Sequence, residues 1–229
     1  TIDGAVTSPP YFNAREYSQY PNLYCYMNKM HAISSKVFQV LKPGSYYLYN
    51  IFDYFDNERT VAFSAMGKKR LTISSSTVYA FRKIGFELID NIVWDKGAIE
   101  GKRGFNAGNN SPYYQAPFNC WEHILVFRKP SDSAGLEFPS LFQQSPVFKI
   151  VGGKNIYGHT APFPPELPNL LLKRLSGEKC VLDPFAGSGT TAEASMDCGH
   201  NTVLCEYDDE YSSLIVERLR NRKVQRDLF

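Results

Sequence analysis

Apolar positions set a clear rhythm along the chain. Residues 4–7 form a short apolar run that stops at Ser8-Pro9-Pro10, since consecutive prolines neither donate to a ladder nor continue a helix. Residues 13–21 are polar and read as a loop. Leu23, Met27, Met30, Ile33, Val37 and Val40 then recur at helical spacing, and that helix ends before Lys42-Pro43-Gly44. Tyr46 to Ile51 reads as a strand. A stretch rich in Lys and Ser at 67–77 leads into a helix carrying Val78, Phe81 and Ile84, and Phe86 to Trp94 is the next strand.

Neither period continues between Lys96 and Cys120, where glycine, asparagine and aromatics dominate, so a long loop or small hairpin is predicted there. Glu122 to Phe127 reads as a buried strand. Residues 130–158 lack periodicity and are broken by Pro130, Pro139 and Pro146. The remainder alternates: helix 167–175, strand 180–182, helix 191–198, strand 202–205, helix 211–222. Such alternation predicts an α/β fold with a mostly parallel, doubly wound sheet and helices on both faces.

A chain of 229 residues with 43% hydrophobic, 21% charged and 14% aromatic residues is sized for one domain and excludes a disordered scaffold. No apolar run approaches the roughly 20 residues of a bilayer crossing, and no signal peptide is visible, which leads to a cytoplasmic reading. Five cysteines, without a CxxC pair, argue against a disulfide framework or structural zinc and predict reduced buried thiols. A net charge of +2 does not by itself demand a nucleic-acid partner, which must be argued from local patches. Because Thr1 falls inside a strand, an N-terminal piece is expected to be missing.

The segment from Val181 to Ala192 reads as strand, glycine-rich turn and helix start, an arrangement that lets a ligand approach the backbone at a helix N-terminus. Gly187 and Gly189 leave room where a Cβ would clash. Glu206 follows about 20 residues on, where an acidic side chain accepts ribose hydroxyls. A dinucleotide would set its pyrophosphate on the helix. S-adenosylmethionine would instead bring cationic groups, for which Asp183 is a suitable partner. The same glycines would equally serve to pack a helix on a strand.

Asp183-Pro184-Phe185-Ala186-Gly187-Ser188-Gly189-Thr190-Thr191 resembles the cofactor loop of amino-methyltransferases acting on DNA, and Thr7-Ser8-Pro9-Pro10-Tyr11 is similar to that family's catalytic motif. The motif order matches the circularly permuted beta class over nearly the whole chain, taken as a single catalytic domain. The resemblance implies S-adenosylmethionine as cofactor and no metal. It implies double-stranded DNA as substrate and a cognate restriction endonuclease as functional counterpart in a bacterial restriction-modification system. It also implies cofactor contacts from Asp183, Pro184, Phe185, Gly187, Gly189, Thr190 and Glu206. Phe163 would pack on the cofactor and Thr160, with His159, would reach its carboxylate; the alternative for Phe163 is a core aromatic between prolines.

Methylating an exocyclic amine requires acceptors for its hydrogens, because its lone pair is delocalised into the ring. The Ser8 hydroxyl and Pro9 carbonyl suit that task, and the prolines fix their direction. Tyr11 offers a face on which a flipped base stacks, returning ~1–3 kcal/mol of the few that flipping costs. Within the family Ser-Pro-Pro-Tyr accompanies mostly cytosine N4 and Asp-Pro-Pro-Tyr mostly adenine N6, so N4 is the first reading and N6 the second.

Other nucleobase chemistries lack their parts: no cysteine follows a proline, HxE and PCxxC are absent, and no GxxxxGK[ST] exists. A non-catalytic DNA-binding module, or an enzyme acting on RNA or on a protein glutamine, competes on the same motifs. Between the sheet and Phe163 only 130–158 are available, too short for a recognition domain. DNA contacts therefore fall to loops at 97–119 and 130–158, with Lys102, Arg103, Lys68, Lys69 and Arg70 as phosphate-binding candidates. The basic tail from Arg218 to Arg226 reads as a solvated helix end. The fold expectation is completed by a sheet that begins at the catalytic strand and lacks one edge element beside 202–205.

Overall fold

A computed structural model describes residues 1–12, 19–55, 70–97, 121–147 and 162–226. Strands β1 (Ile2–Thr7), β2 (Leu41–Ile51), β5 (Glu87–Asp95), β6 (Trp121–Arg128), β7 (Leu141–Gln143), β8 (Cys180–Asp183) and β9 (Asn201–Leu204) form one sheet in the order β7-β5-β6-β2-β1-β8-β9. Strands β3 (Tyr54–Phe55) and β4 (Arg70–Leu71) form a separate two-residue pair. The helices are α1 (Leu23–Val40), α2 (Ile73–Ile84), α3 (Glu166–Leu172), α4 (Thr190–Asp197) and α5 (Asp209–Arg226). No helix among the described residues is long and apolar enough to cross a membrane.

β1, β2, β8 and β9 run parallel, and β7 runs parallel to β5, while β6 is antiparallel to both β2 and β5. Both faces of the sheet are covered, so its central strands are near-continuous apolar runs. Tyr47, Tyr49, Leu125 and Phe127 face a core shared with Tyr26, Met30 and Val37 of α1 and Phe81 of α2. Tyr46, Leu48, Ile124 and Val126 point the opposite way, into a core with Leu167, Leu170 and Leu171 of α3. α3 lies so close to β1 that a Cβ on Gly4 would stand 2.9 Å from the Leu171 side chain.

Local chemistry explains the helix ends. Asn22 caps α1 by accepting from the Cys25 N–H at 2.9 Å, and Lys129 donates to the carbonyls of Phe38 and Leu41 at its other end. α2 receives its cap from Asp53, which accepts from the Ser74 N–H at 3.0 Å, and closes on Gly85 at φ +119°.

Several sequence expectations change. β2 begins at Leu41 instead of Tyr46, but its pairing jumps from Ile2↔Leu41 to Gly4↔Tyr46, which accommodates Pro43, a residue with no N–H for a ladder. β7 lies in a stretch read as lacking periodicity and the β3–β4 pair falls where no strand is predicted, because two or three residues are too few to show a period. The described residues supply the seven strands of this sheet: β7 adds a strand at one edge, and at the other β9 is the outer strand, with none beside it among the described residues. The four thiols among the described residues are not buried as expected, and Cys120 lies outside those residues. Cys25 and Cys205 are exposed and Cys180 and Cys198 only partly covered, since they lie on an outer helix face or near the sheet edge.

Candidate active site

Strand order reverses between β1 and β8. From β1 the chain works outward through β2 toward β5 and β6, then returns to β8 beside β1 and moves off to β9. Ligands in open α/β sheets bind beyond the strand C-termini at such a reversal. Ser8-Pro9-Pro10-Tyr11 leaves the C-terminal end of β1, and the 184–189 turn leaves that of β8, so two segments about 175 residues apart adjoin over one crevice.

A buried carboxylate joins them. Asp183 is 0% exposed; its Oδ1 accepts from the Thr7 hydroxyl at 2.7 Å and from the Phe185 N–H at 3.0 Å, and its Oδ2 accepts from the Thr191 hydroxyl at 2.5 Å. Burial pushes its pKa up to about 6 despite these hydrogen bonds, and the Glu206 charge adds to the rise. These bonds make Asp183 a brace that ties β1 to the turn and to α4.

The turn needs its glycines. Gly187 and Gly189 have φ of +52° and +82°, and a Cβ on Gly189 would stand 3.1 Å from Ile215. Glu206 sits just past β9, its Oε2 accepting from the Gly187 N–H at 2.7 Å and its Oε1 from the N–H groups of Tyr207 and Asp208. Thr190 opens α4 and is buried, while Pro184 and Phe185 are half-buried. Arg218 donates to the Ser188 carbonyl and pairs with Glu193, and Arg222 pairs with Asp197. The start of the basic tail is thus a clasp between α5, α4 and the turn rather than a solvated end, because α4 presents matching carboxylates one turn apart.

Phe163 is 8% exposed and lies in the core cluster with Val6, Leu48 and Leu167. Arg70 falls in β4 opposite Phe55. Lys68, Lys69, Lys102, Arg103, His159 and Thr160 lie outside the described residues, as do most of 97–119 and the end of 130–158.

Around the Ser-Pro-Pro-Tyr segment the structure assembles a network that sequence reading missed. Ser8 Oγ donates to the Tyr11 hydroxyl at 3.1 Å. That hydroxyl lies 2.7 Å from Glu122 Oε2 and 3.0 Å from Asn50 Oδ1. Glu122 Oε1 pairs with Lys96, whose ammonium also lies 4.5 Å from the Trp94 ring centroid. Burial and the neighbouring Glu122 charge hold the Tyr11 pKa well above its ordinary value, so the phenol stays protonated. Glu122 stands at the start of a strand read as buried, and Lys96 follows directly on the end of another. A charge there cannot be buried without a partner, which was the available signal.

Known proteins agree with this geometry. Residues 2–217 match the profile of the DNA methylase family, and the chain belongs to that family. It is 43% identical over 231 residues to the Type II beta methyltransferase M.BslI of Bacillus sp. (strain NEB-606), covering 95% of this chain and 25% of that protein. To the Type II methyltransferase M.MjaI of Methanocaldococcus jannaschii it is 29% identical, covering 83% and 66%. The chain thus spans a quarter of the first relative and just under two-thirds of the second. Among solved structures, a Thermus thermophilus protein complexed with S-adenosyl-L-methionine superposes with a TM-score of 0.69 at 24% identity, over 95% of this chain and 84% of that one. PvuII DNA methyltransferase (cytosine-N4-specific) gives 0.68 at 18% identity, over 94% and 78%. These two likenesses establish the fold as that of the methyltransferases.

Proposed function

We propose that this chain is the catalytic domain of a DNA amino-methyltransferase that modifies the exocyclic N4 of a cytosine flipped from the duplex. The observation that carries the reading is the junction of Ser8-Pro9-Pro10-Tyr11 with the glycine turn at the strand-order reversal, braced by Thr7 and Asp183. The cofactor that fits is S-adenosylmethionine, which when bound supplies a methyl group on a sulfonium. Positive φ at Gly187 and Gly189 opens the turn to such a ligand, and Glu206, between the turn and the end of β9, is the acceptor for ribose hydroxyls. Pro184, Phe185 and Thr190 complete the cradle.

The Ser8 hydroxyl and Pro9 carbonyl accept the hydrogens of the target amine and turn its lone pair outward. Tyr11, half-buried against Phe52, offers the remaining ring face to the base. Lys68, Lys69, Arg70, Lys102 and Arg103 serve the phosphates, and a cognate endonuclease would be the counterpart within a restriction-modification system. Adenine N6 is the second reading, favoured by the same motif geometry. Incubation with methyl-labelled S-adenosylmethionine and duplex DNA, RNA or protein in parallel tests the activity. Label in DNA alone is expected. DNA binding without any label would instead establish a non-catalytic module, and label in RNA or protein would move the substrate.

A further inference from the structure

The geometry points to Glu122 as a positioning residue that, charge-paired with Lys96, sets the direction of the hydrogen-bond chain through Tyr11 so that Ser8 meets its target purely as an acceptor. This deepens the amine-methyltransferase reading and rests on it. A phenol has one proton. Both neighbours on the far side of Tyr11, the Glu122 carboxylate and the Asn50 amide oxygen, only accept, so that proton points away from Ser8 whichever of them receives it. Asn50 keeps this orientation because its Nδ2 donates to the His123 carbonyl at 3.1 Å. The Ser8 hydroxyl must then donate to the Tyr11 oxygen, and its lone pairs are left for an incoming group.

Three consequences follow from that polarity. A substrate atom that only accepts finds no donor at Ser8, whereas an amine with two hydrogens finds an acceptor, so the chain selects for N–H groups. The serine rotor is fixed before substrate arrives, which lowers the reorganisation needed at the reacting centre. Lys96 and Glu122 are 9% and 8% exposed, and each supplies the other's counter-charge, so the device is sheltered from competing water. Their effect on Ser8 passes through the Tyr11 hydroxyl.

Replacing Glu122 with Gln keeps the shape but lets an amide N–H compete with Ser8 for the Tyr11 oxygen and leaves only Asn50 Oδ1 to draw the phenol proton away, so that the Ser8 hydroxyl is no longer held as donor to Tyr11. The expected result is a fall in kcat of about 10- to 100-fold with KM for S-adenosylmethionine unchanged. Tyr11→Phe breaks the chain at its middle, and the Glu122→Gln/Tyr11→Phe double variant is expected to be no slower than the slower single. Full kcat for Glu122→Gln, or additive losses in the double variant, would overturn the assignment. An NMR readout independent of turnover accompanies them: the hydrogen-bonded Tyr11 hydroxyl proton should be visible in the wild type and shift in Glu122→Gln. An unshifted resonance also overturns the assignment, whereas a wild type that labels no DNA while showing the shift refutes the functional reading alone.

Discussion

Replacing Asp183 by Asn removes the one titrating group that braces the two motifs while keeping its shape. Asparagine Oδ1 still accepts from Thr7 and Phe185, and its Nδ2 donates to the Thr191 oxygen once that hydroxyl turns. In the wild type burial raises the carboxyl from 3.8 to about 6. The folded protein therefore holds this proton more tightly than the unfolded chain does. The associated stability is fully present only well below the unfolded value of 3.8 and is lost as pH rises through about 6; a rise of that size corresponds to about 3 kcal/mol in all. Urea unfolding of both proteins across pH 4 to 7.5 reads it. Asp3 and Asp53 titrate below the usual carboxylate range, burial being outweighed by hydrogen bonds and by the charges of Lys42 and His123. They act in the opposite sense, but equally in both proteins. The stability of the wild type minus that of Asp183→Asn should fall by about 2.4 kcal/mol over the range, the rest of the effect lying below pH 4. A difference that is flat, or that grows with pH, would refute the argument that burial dominates at this carboxylate.

Gly189→Ala forces a Cβ into a left-handed conformation and against Ile215, and should cost about 1–2 kcal/mol or more in thermal unfolding; an unchanged melting temperature would contradict the strained turn. Arg218→Ala, which frees the Ser188 carbonyl and Glu193, should lower stability by about 1–3 kcal/mol and weaken cofactor binding in calorimetry. Glu206→Ala should weaken S-adenosylmethionine binding by about 2 kcal/mol, and an unaltered Kd would sink the ribose assignment. Ser8→Ala should leave folding intact and lower kcat about 10²–10³-fold; near-normal turnover would remove Ser8 from the chemistry.

Much of this was legible where a single residue type is forced. The helix from Leu23 to Val40 was readable, because its apolar stripe and the Lys42-Pro43-Gly44 that follows mark it locally. The turn at Gly187 and Gly189 was readable because only glycine adopts those φ values at little cost. The antiparallel direction of β6 was not, since the Gly- and Asn-rich stretch between Lys96 and Cys120 reads equally as a long loop or a small hairpin. The Lys96–Glu122–Tyr11 chain joins residues 26 and 111 positions apart, and nothing local to any of them announces the others. The bracing role of Asp183 is not legible in the sequence either, because it depends on the pairing of β1 with β8 that brings Thr7 beside it.

The claim that this site methylates an exocyclic amine is tested most directly on the product itself. Duplex DNA incubated with the protein and isotopically labelled S-adenosylmethionine is digested to nucleosides and resolved by mass spectrometry. Label in N4-methylcytosine, lost in Ser8→Ala, is the predicted result. Label in N6-methyladenine would correct the target base and keep the site's role. Label on a ring carbon, or on no nucleoside at all, would contradict the account.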